Sequence, residues 1–180
     1  MNTAAPRPSA LVTGASQGLG AATALALARA GYDVAVTELP GSGSLAAVCA
    51  GITALGARAH PLILELREQP SVERAFASAV AAFGTLDLLV NNAGVTLRRT
   101  ALEVSREEWR DVLEVMLTGT FFMSQQMGRH LVASKRPGAI VSLASTHGLV
   151  GLADRSAYGA AKGGVIQMTR MLAIALTRMP

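Results

Sequence analysis

Leu11-Val12-Thr13-Gly14-Ala15-Ser16-Gln17-Gly18-Leu19-Gly20 is a short apolar run that passes through a glycine-rich turn straight into an alanine-rich segment, Ala21 to Ala30. The run reads as a strand and the segment as a helix. Gly14 takes the tight turn off the strand, Gly18 lets the main chain come close to a bound pyrophosphate, and Gly20 lets the helix pack tightly on the sheet. A helix that starts there offers unpaired N–H groups and the positive end of its dipole to phosphate. The spacing is Gly-x-x-x-Gly-x-Gly, which differs from the commoner Gly-x-Gly-x-x-Gly. A plain strand-turn-helix uses glycines in the same places, so the rest of the chain has to decide.

Around this stretch, apolar runs alternate with helix-like segments, the pattern of a parallel sheet covered on both faces. Val34 to Thr37 is a second strand, Leu45 to Leu55 a helix closed by Gly56, and a third strand runs near His60 to Leu66. Pro61 lies inside that third strand and is tolerated only at a sheet edge, which puts strand three outermost. A helix opens at Ser71, strand four is Leu86 to Val90, and Ser105 with Glu108 forms a capping box at the start of a long helix toward His130. Pro137-Gly138 turns into strand five, Ala139 to Leu143, and a last helix begins near Tyr158. The expected fold is α/β, a doubly wound parallel sheet of order 3-2-1-4-5. Residues 1–8 are expected to be a flexible terminus and 9–180 a single domain. Strand five has the composition of a strand buried between neighbours, and the last helix is a crossover that leads to no strand. The chain therefore reads as cut before its architecture is complete.

Composition removes several functions. With 51% hydrophobic and 16% charged residues, disorder is excluded and extensive burial is expected. The net charge of +4 comes from scattered arginines among twelve acids, with only 4% aromatics, which argues against nucleic acid. No apolar run is long enough to span a membrane, and Met1 to Ser9 lacks the apolar core of a signal peptide. Cys49 is the sole cysteine, so no intramolecular disulfide is possible, which suits a cytoplasmic location. His60, His130 and Cys49 are too far apart to form a metal pattern.

Tyr158-Gly159-Ala160-Ala161-Lys162 puts a phenol and an ammonium four residues apart on one helix face. The positive charge favours phenolate, lowering a tyrosine pKa that starts at about 10. Ser145 follows strand five, where side chains face the ligand crevice of an open sheet, although a serine there also serves as a cap. His147 either lines a pocket or is a loop histidine without a special task.

Together, Thr13 to Gly20, Asn91-Asn92-Ala93-Gly94, Ser145, and Tyr158 with Lys162 resemble the classical short-chain dehydrogenase/reductase family in order and spacing, in particular 3-oxoacyl-carrier-protein reductases and sugar-acid or polyol dehydrogenases. The resemblance runs from about residue 9 to the end. It implies a Rossmann-type fold, binding of NAD(H) or NADP(H), and hydride transfer between nicotinamide and a small carbonyl or secondary alcohol. By this likeness Tyr158 is the general acid/base, Ser145 polarises the carbonyl, and Lys162 lowers the tyrosine pKa and binds the nicotinamide ribose. Gly14, Ser16, Gln17, Gly18, Leu19 and Gly20 cradle the cofactor, Asn92, Ala93 and Gly94 lie along it, and Tyr158 and Lys162 also contact it, while Asn91 ties strand four to its neighbours. Glu65 and Leu66 fall beside the adenine.

Glu38 ends strand two, eighteen residues after Gly20, where an acid hydrogen-bonds the ribose 2′-OH and repels a 2′-phosphate. NAD is therefore expected in preference to NADP; otherwise Glu38 is an exposed loop carboxylate. Two departures stand against full activity. The family's helix asparagine aligns with Met116, and the sixth and seventh strands and the substrate lid are absent from these 180 residues. A catalytically silent dinucleotide-binding or oligomerising remnant is thus the alternative to an enzyme. The resemblance also implies a homodimer or homotetramer.

Overall fold

The computed structural model of the chain describes residues 7–177. Five parallel strands form one sheet: β1 (Ser9–Val12), β2 (Asp33–Glu38), β3 (Ala59–Ile63), β4 (Leu88–Asn91) and β5 (Ala139–Ser142), in the order β3-β2-β1-β4-β5. Val12 stands opposite Val36 on one side, Leu11 opposite Leu89 on the other, and Val90 opposite Val141. Pro61 pairs with Val36 on the outer strand β3, where its missing N–H costs no ladder bond on the open side.

The central strands read as unbroken apolar runs because both faces are covered. Leu11, Ala35 and Leu89 belong to one core with Phe76 of α3 (Gln69–Phe83) and Met123 and Met127 of α5 (Thr120–Ser134). Their neighbours Val12, Val34, Val36 and Val90 form a second core with Ala24 and Ala28 of α1 (Gly18–Arg29) and Ile52 of α2 (Leu45–Ala54). Period-two alternation thus sorts one apolar sequence onto two helix layers.

Several boundaries differ from expectation. α3 starts at Gln69, two residues before Ser71, because Pro70 suits the first turn of a helix. The Ser71 hydroxyl is used elsewhere, accepting the Glu65 N–H at 3.0 Å. β4 begins at Leu88, with Leu86 buried just before it, and α6 (Ser156–Thr177) begins two residues before Tyr158. β5, in contrast, lies where the expected order 3-2-1-4-5 puts it: it is the outer strand among the described residues, and Val141 is 49% exposed. The expected flexible terminus falls mostly on residues 1–6, outside the described residues; Arg7 pairs with the buried Asp33 at 3.4 Å.

The long helix is three pieces. α4 (Arg106–Leu113) opens on the Ser105–Glu108 capping box, α5 follows, and between them Glu114–Gly119 is a π-helical turn. The turn lies where the chain is squeezed: a Cβ on Gly119 would stand 2.6 Å from Leu66 Cβ and 2.8 Å from the Leu66 carbonyl oxygen. Among the described residues no helix is long and apolar enough to cross a membrane.

Candidate active site

The loops leaving the C-terminal ends of β1, β2, β4 and β5 meet above the sheet, where ligands bind in open α/β folds. The first is locked to the third. Thr13 Oγ1 accepts the N–H groups of Asn92 and Ala93, each at 3.0 Å, and Asn92 Nδ2 donates to the carbonyl oxygens of Thr13 and Gly14, each at 2.9 Å. Gly14 turns with φ +62°, and a Cβ there would lie 2.8 Å from Ala93 Cα. A Cβ on Gly20 would press into the Gly14 carbonyl oxygen and stand 2.5 Å from Asn92 Nδ2. Gly18 differs. Its φ is +57°, and nothing lies within 4 Å of where its Cβ would be. The Gln17 side chain does not cap the start of α1, so its first N–H groups have no partner from that side chain.

A groove of about 290 Å³ runs from this helix start past Ser16, Gln17, Glu38, Glu65 and Leu66 to Asn92, Ala93 and Gly94. Glu38 is only 8% exposed, which excludes a loose loop carboxylate. Its Oε2 accepts the N–H and the hydroxyl of Ser44 at 2.8 and 2.9 Å, which fixes the carboxylate at the end of β2. Glu65 is drawn back by Arg67, whose Nη1 stands 2.9 Å from Oε1. Arg67 also forks onto Asp111 of α4 through Nε and Nη2, at 2.6 and 3.1 Å. That bond holds the Asp111 carboxyl below its usual range and raises Arg67. Sequence reading had no signal for Arg67, because its partner lies 44 residues away.

Asn92, Gly94 and Val95 also line a second cavity, of about 460 Å³, together with Leu19, Met116, Ser145, His147, Arg155, Tyr158 and Lys162. The two hollows therefore meet along the β4 loop. Lys162 is 7% exposed and its Nζ donates to the Leu143 carbonyl oxygen at the end of β5, 6.0 Å from the Tyr158 ring centroid. Ser145 acts as the cap of the short turn Thr146–Gly148, accepting the His147 N–H at 3.2 Å, while facing the cavity. A hydroxyl that accepts one bond keeps its own proton to donate. His147 is not idle: its ring meets the Tyr158 ring edge-on, with centroids 6.2 Å apart. Asn91 ties β4 sideways, donating to Ser124 Oγ at 2.9 Å and Ser142 Oγ at 3.3 Å. Met116 lies in the π-helical turn, 2% exposed, with its Cε 3.3 Å from the Cβ position of Gly94.

Burial lowers the Lys162 pKa from the ordinary lysine value. The charged form is therefore disfavoured in the folded state, a cost fully present below the folded pKa and relieved as pH rises toward the unfolded value of about 10.4. Lys162→Met is expected to raise Tm at pH 7, because the cost of burying the charge is removed. The gain should shrink as pH rises toward about 10.4, and calorimetric melts at rising alkaline pH check it.

The profile of the short chain dehydrogenase family matches residues 8–179. The chain belongs to this family. The 2-dehydro-3-deoxy-D-gluconate 5-dehydrogenase of Escherichia coli is 38% identical over 164 residues, covering 91% of this chain and 64% of its own. A 3-oxoacyl-[acyl-carrier-protein] reductase of Synechocystis is 37% identical, covering 91% and 66%. Among solved structures, NAD+-bound xylitol dehydrogenase superposes with a TM-score of 0.90 at 30% identity, over 94% of this chain and 65% of that one. The F189W actinorhodin polyketide ketoreductase with NADPH gives 0.90 at 33% identity, over 96% and 66%. The chain thus spans about two thirds of the length of the curated relatives it matches. Solved structures with NAD+ and with NADPH share its fold.

Proposed function

We propose that the protein is an NAD-preferring oxidoreductase that interconverts a carbonyl and a secondary alcohol. One observation carries this reading: Ser145, Tyr158 and Lys162 line a cavity that meets, at Asn92, Gly94 and Val95, the groove beneath the uncapped start of α1. The groove fits a dinucleotide. The open side of Gly18 leaves room for a pyrophosphate, and the N–H groups from Ser16 to Gly20 supply donors. Gly14 makes the turn, Glu38 accepts the ribose 2′-OH, Glu65 and Leu66 flank the adenine, and Ala93 and Gly94 back the middle of the cofactor. Asn92 reaches it through its main-chain carbonyl and Oδ1, since its amide nitrogen is spent on Thr13 and Gly14 and its N–H on Thr13 Oγ1.

When bound, the nicotinamide supplies or accepts the hydride. The protein's own groups handle the oxygen and the proton. Ser145 donates its free hydroxyl proton to the carbonyl oxygen and holds it beside Tyr158. Tyr158 Oη gives that oxygen a proton in reduction and takes it back in oxidation. Lys162, fixed on Leu143, keeps positive charge near the phenol and contacts the nicotinamide ribose. The thioether of Met116 cannot form the hydrogen bonds of an amide, so proton relay behind Lys162 rests on main-chain groups of the π-helical turn.

Calorimetric titration with NADH and NADPH, followed by a carbonyl and alcohol panel, tests the proposal. Binding of either cofactor without turnover would instead favour a silent dinucleotide-binding protein, the reading that Met116 supports. NADH is expected to bind about tenfold more tightly than NADPH, a difference of about 1.4 kcal/mol. Glu38→Gln should narrow that gap to less than about threefold by removing the charge that repels a 2′-phosphate. Unchanged discrimination would count against Glu38. The same reading carries a homodimer or homotetramer, supported by Met171 and Ile174 exposed on α6 and measurable by light scattering. It also carries a cytoplasmic location.

A further inference from the structure

Arg155 has no part in the chemistry above, yet it lines the Tyr158 cavity. Its main chain is fixed: its N–H donates to the Leu152 carbonyl oxygen at 3.2 Å and its own carbonyl oxygen accepts the Gly159 N–H at 2.7 Å. The guanidinium carbon lies 5.6 Å from the centroid of the Tyr158 ring. Nη1 donates to Thr96 Oγ1 at 3.0 Å. Nε is buried and has no hydrogen-bond partner, and Arg155 takes part in none of the ion pairs among the described residues. A buried Nε–H without an acceptor is costly, because its hydration is lost and nothing replaces it.

The arrangement is selective about what it lacks. With Nη1 committed to Thr96, the edge formed by Nε and Nη2 remains, two parallel donors in the planar fork that matches a carboxylate. No aspartate or glutamate lines the cavity, whose other basic side chains are Lys162 and His147. Lys162 donates to Leu143 and is assigned above to the phenol and the nicotinamide ribose, and the His147 ring meets the Tyr158 ring edge-on.

We propose that the substrate is a short oxo acid or hydroxy acid whose carboxylate is held by the Nε–Nη2 edge of Arg155. The inference rests on the assignment of Tyr158 as the proton-transfer group. It adds the substrate's charge and the approximate distance between its two ends. The carboxylate is a handle: it makes and breaks no bond, while the carbonyl carbon gains hydride and the carbonyl oxygen gains the proton from Tyr158. With the guanidinium this close to the tyrosine ring, only a few carbons separate carboxylate from carbonyl. Thr96 is a positioning residue, since it occupies Nη1 and leaves the other edge for the ligand.

Pyruvate, 3-oxobutanoate and 4-oxopentanoate, each paired with its methyl ester, scan that distance at constant chemistry. With NADH, at least one acid should exceed its ester by roughly 10–100-fold in kcat/KM, as expected for a charge-assisted fork. Arg155→Met should collapse this acid-to-ester ratio toward one, mainly through KM for the acid, and Arg155→Lys should restore part of it. Esters preferred throughout the series, or a ratio unchanged in Arg155→Met, would overturn the proposal, as would a preference for dihydroxyacetone phosphate over every acid. Calorimetry separates this inference from the one beneath it. The corresponding 2-, 3- and 4-hydroxy acids are titrated into the protein with NADH present. Acid binding lost in Arg155→Met but without turnover of any substrate sinks the role of Tyr158 and keeps the anion site. Turnover of neutral carbonyls with no acid binding does the reverse.

Discussion

Replacing Tyr158 by Phe is expected to lower kcat by about 10²–10⁴-fold, the range a positioned acid/base supplies, and to leave NADH affinity within about threefold. The substitution removes one oxygen atom and little else. The ring stays packed on the core and flanked by His147 and Arg155. Lys162 stays anchored, because its bond goes to the Leu143 carbonyl oxygen and not to the phenol. Gly14, Ser16, Gln17 and Glu38 line the other hollow and lose nothing. Binding and chemistry are thereby separable at this residue. Single-turnover oxidation of NADH in the presence of a reducible carbonyl measures the step directly, and calorimetry measures the affinity. Activity within tenfold of the unaltered protein would mean that the proton comes from elsewhere, with His147 the nearest alternative. A parallel loss of NADH binding would mean that Tyr158 holds the cofactor more than it handles the proton.

What the sequence made legible was local or periodic. Pro61 placed β3 at the edge because a missing N–H has only one tolerable position in a sheet. The two-faced burial of β1 and β2 followed from apolar runs without alternation. The capping box at Ser105 and Glu108 needs only four residues to declare itself. What stayed hidden depends on partners remote in the chain. Arg155 meets Thr96 across 59 residues, and nothing in either neighbourhood distinguishes it from a solvated arginine. The double service of Asn92 was equally invisible, since its amide bonds depend on how closely β1 and β4 pair. The π-helical turn is the sharpest case. The family likeness pointed to a helix irregularity at Met116, but methionine itself carries no local signal for one. The turn persists with that residue in place, in a segment where Gly119 is pressed against Leu66.

Gly20→Ala should have the largest effect on stability, and its contrast with Gly18→Ala tests what the glycine-rich turn is for. At Gly20 the added methyl would run into the Gly14 carbonyl oxygen, with Asn92 Nδ2 at 2.5 Å and Ala15 Cα at 2.9 Å. None of the three can yield cheaply, since two are main chain and the Asn92 amide is held by Thr13 and Gly14. Overpacking of this kind costs about 1–3 kcal/mol, and the loss of two Asn92 hydrogen bonds adds roughly 1 kcal/mol each. Taken together, a fall in Tm of roughly 6–20 °C is expected for a chain of this size, with NADH binding lost because α1 is pushed off its place. At Gly18 the methyl enters open space, so the only intrinsic cost is its positive φ, about 1–2 kcal/mol. If the turn cradles a pyrophosphate, that methyl stands where the phosphate must approach. NADH affinity should then fall by about tenfold or more in a protein that is still folded. Affinity unchanged in folded Gly18→Ala would leave Thr13 to Gly20 as a strand-to-helix connection that needs its glycines for shape alone.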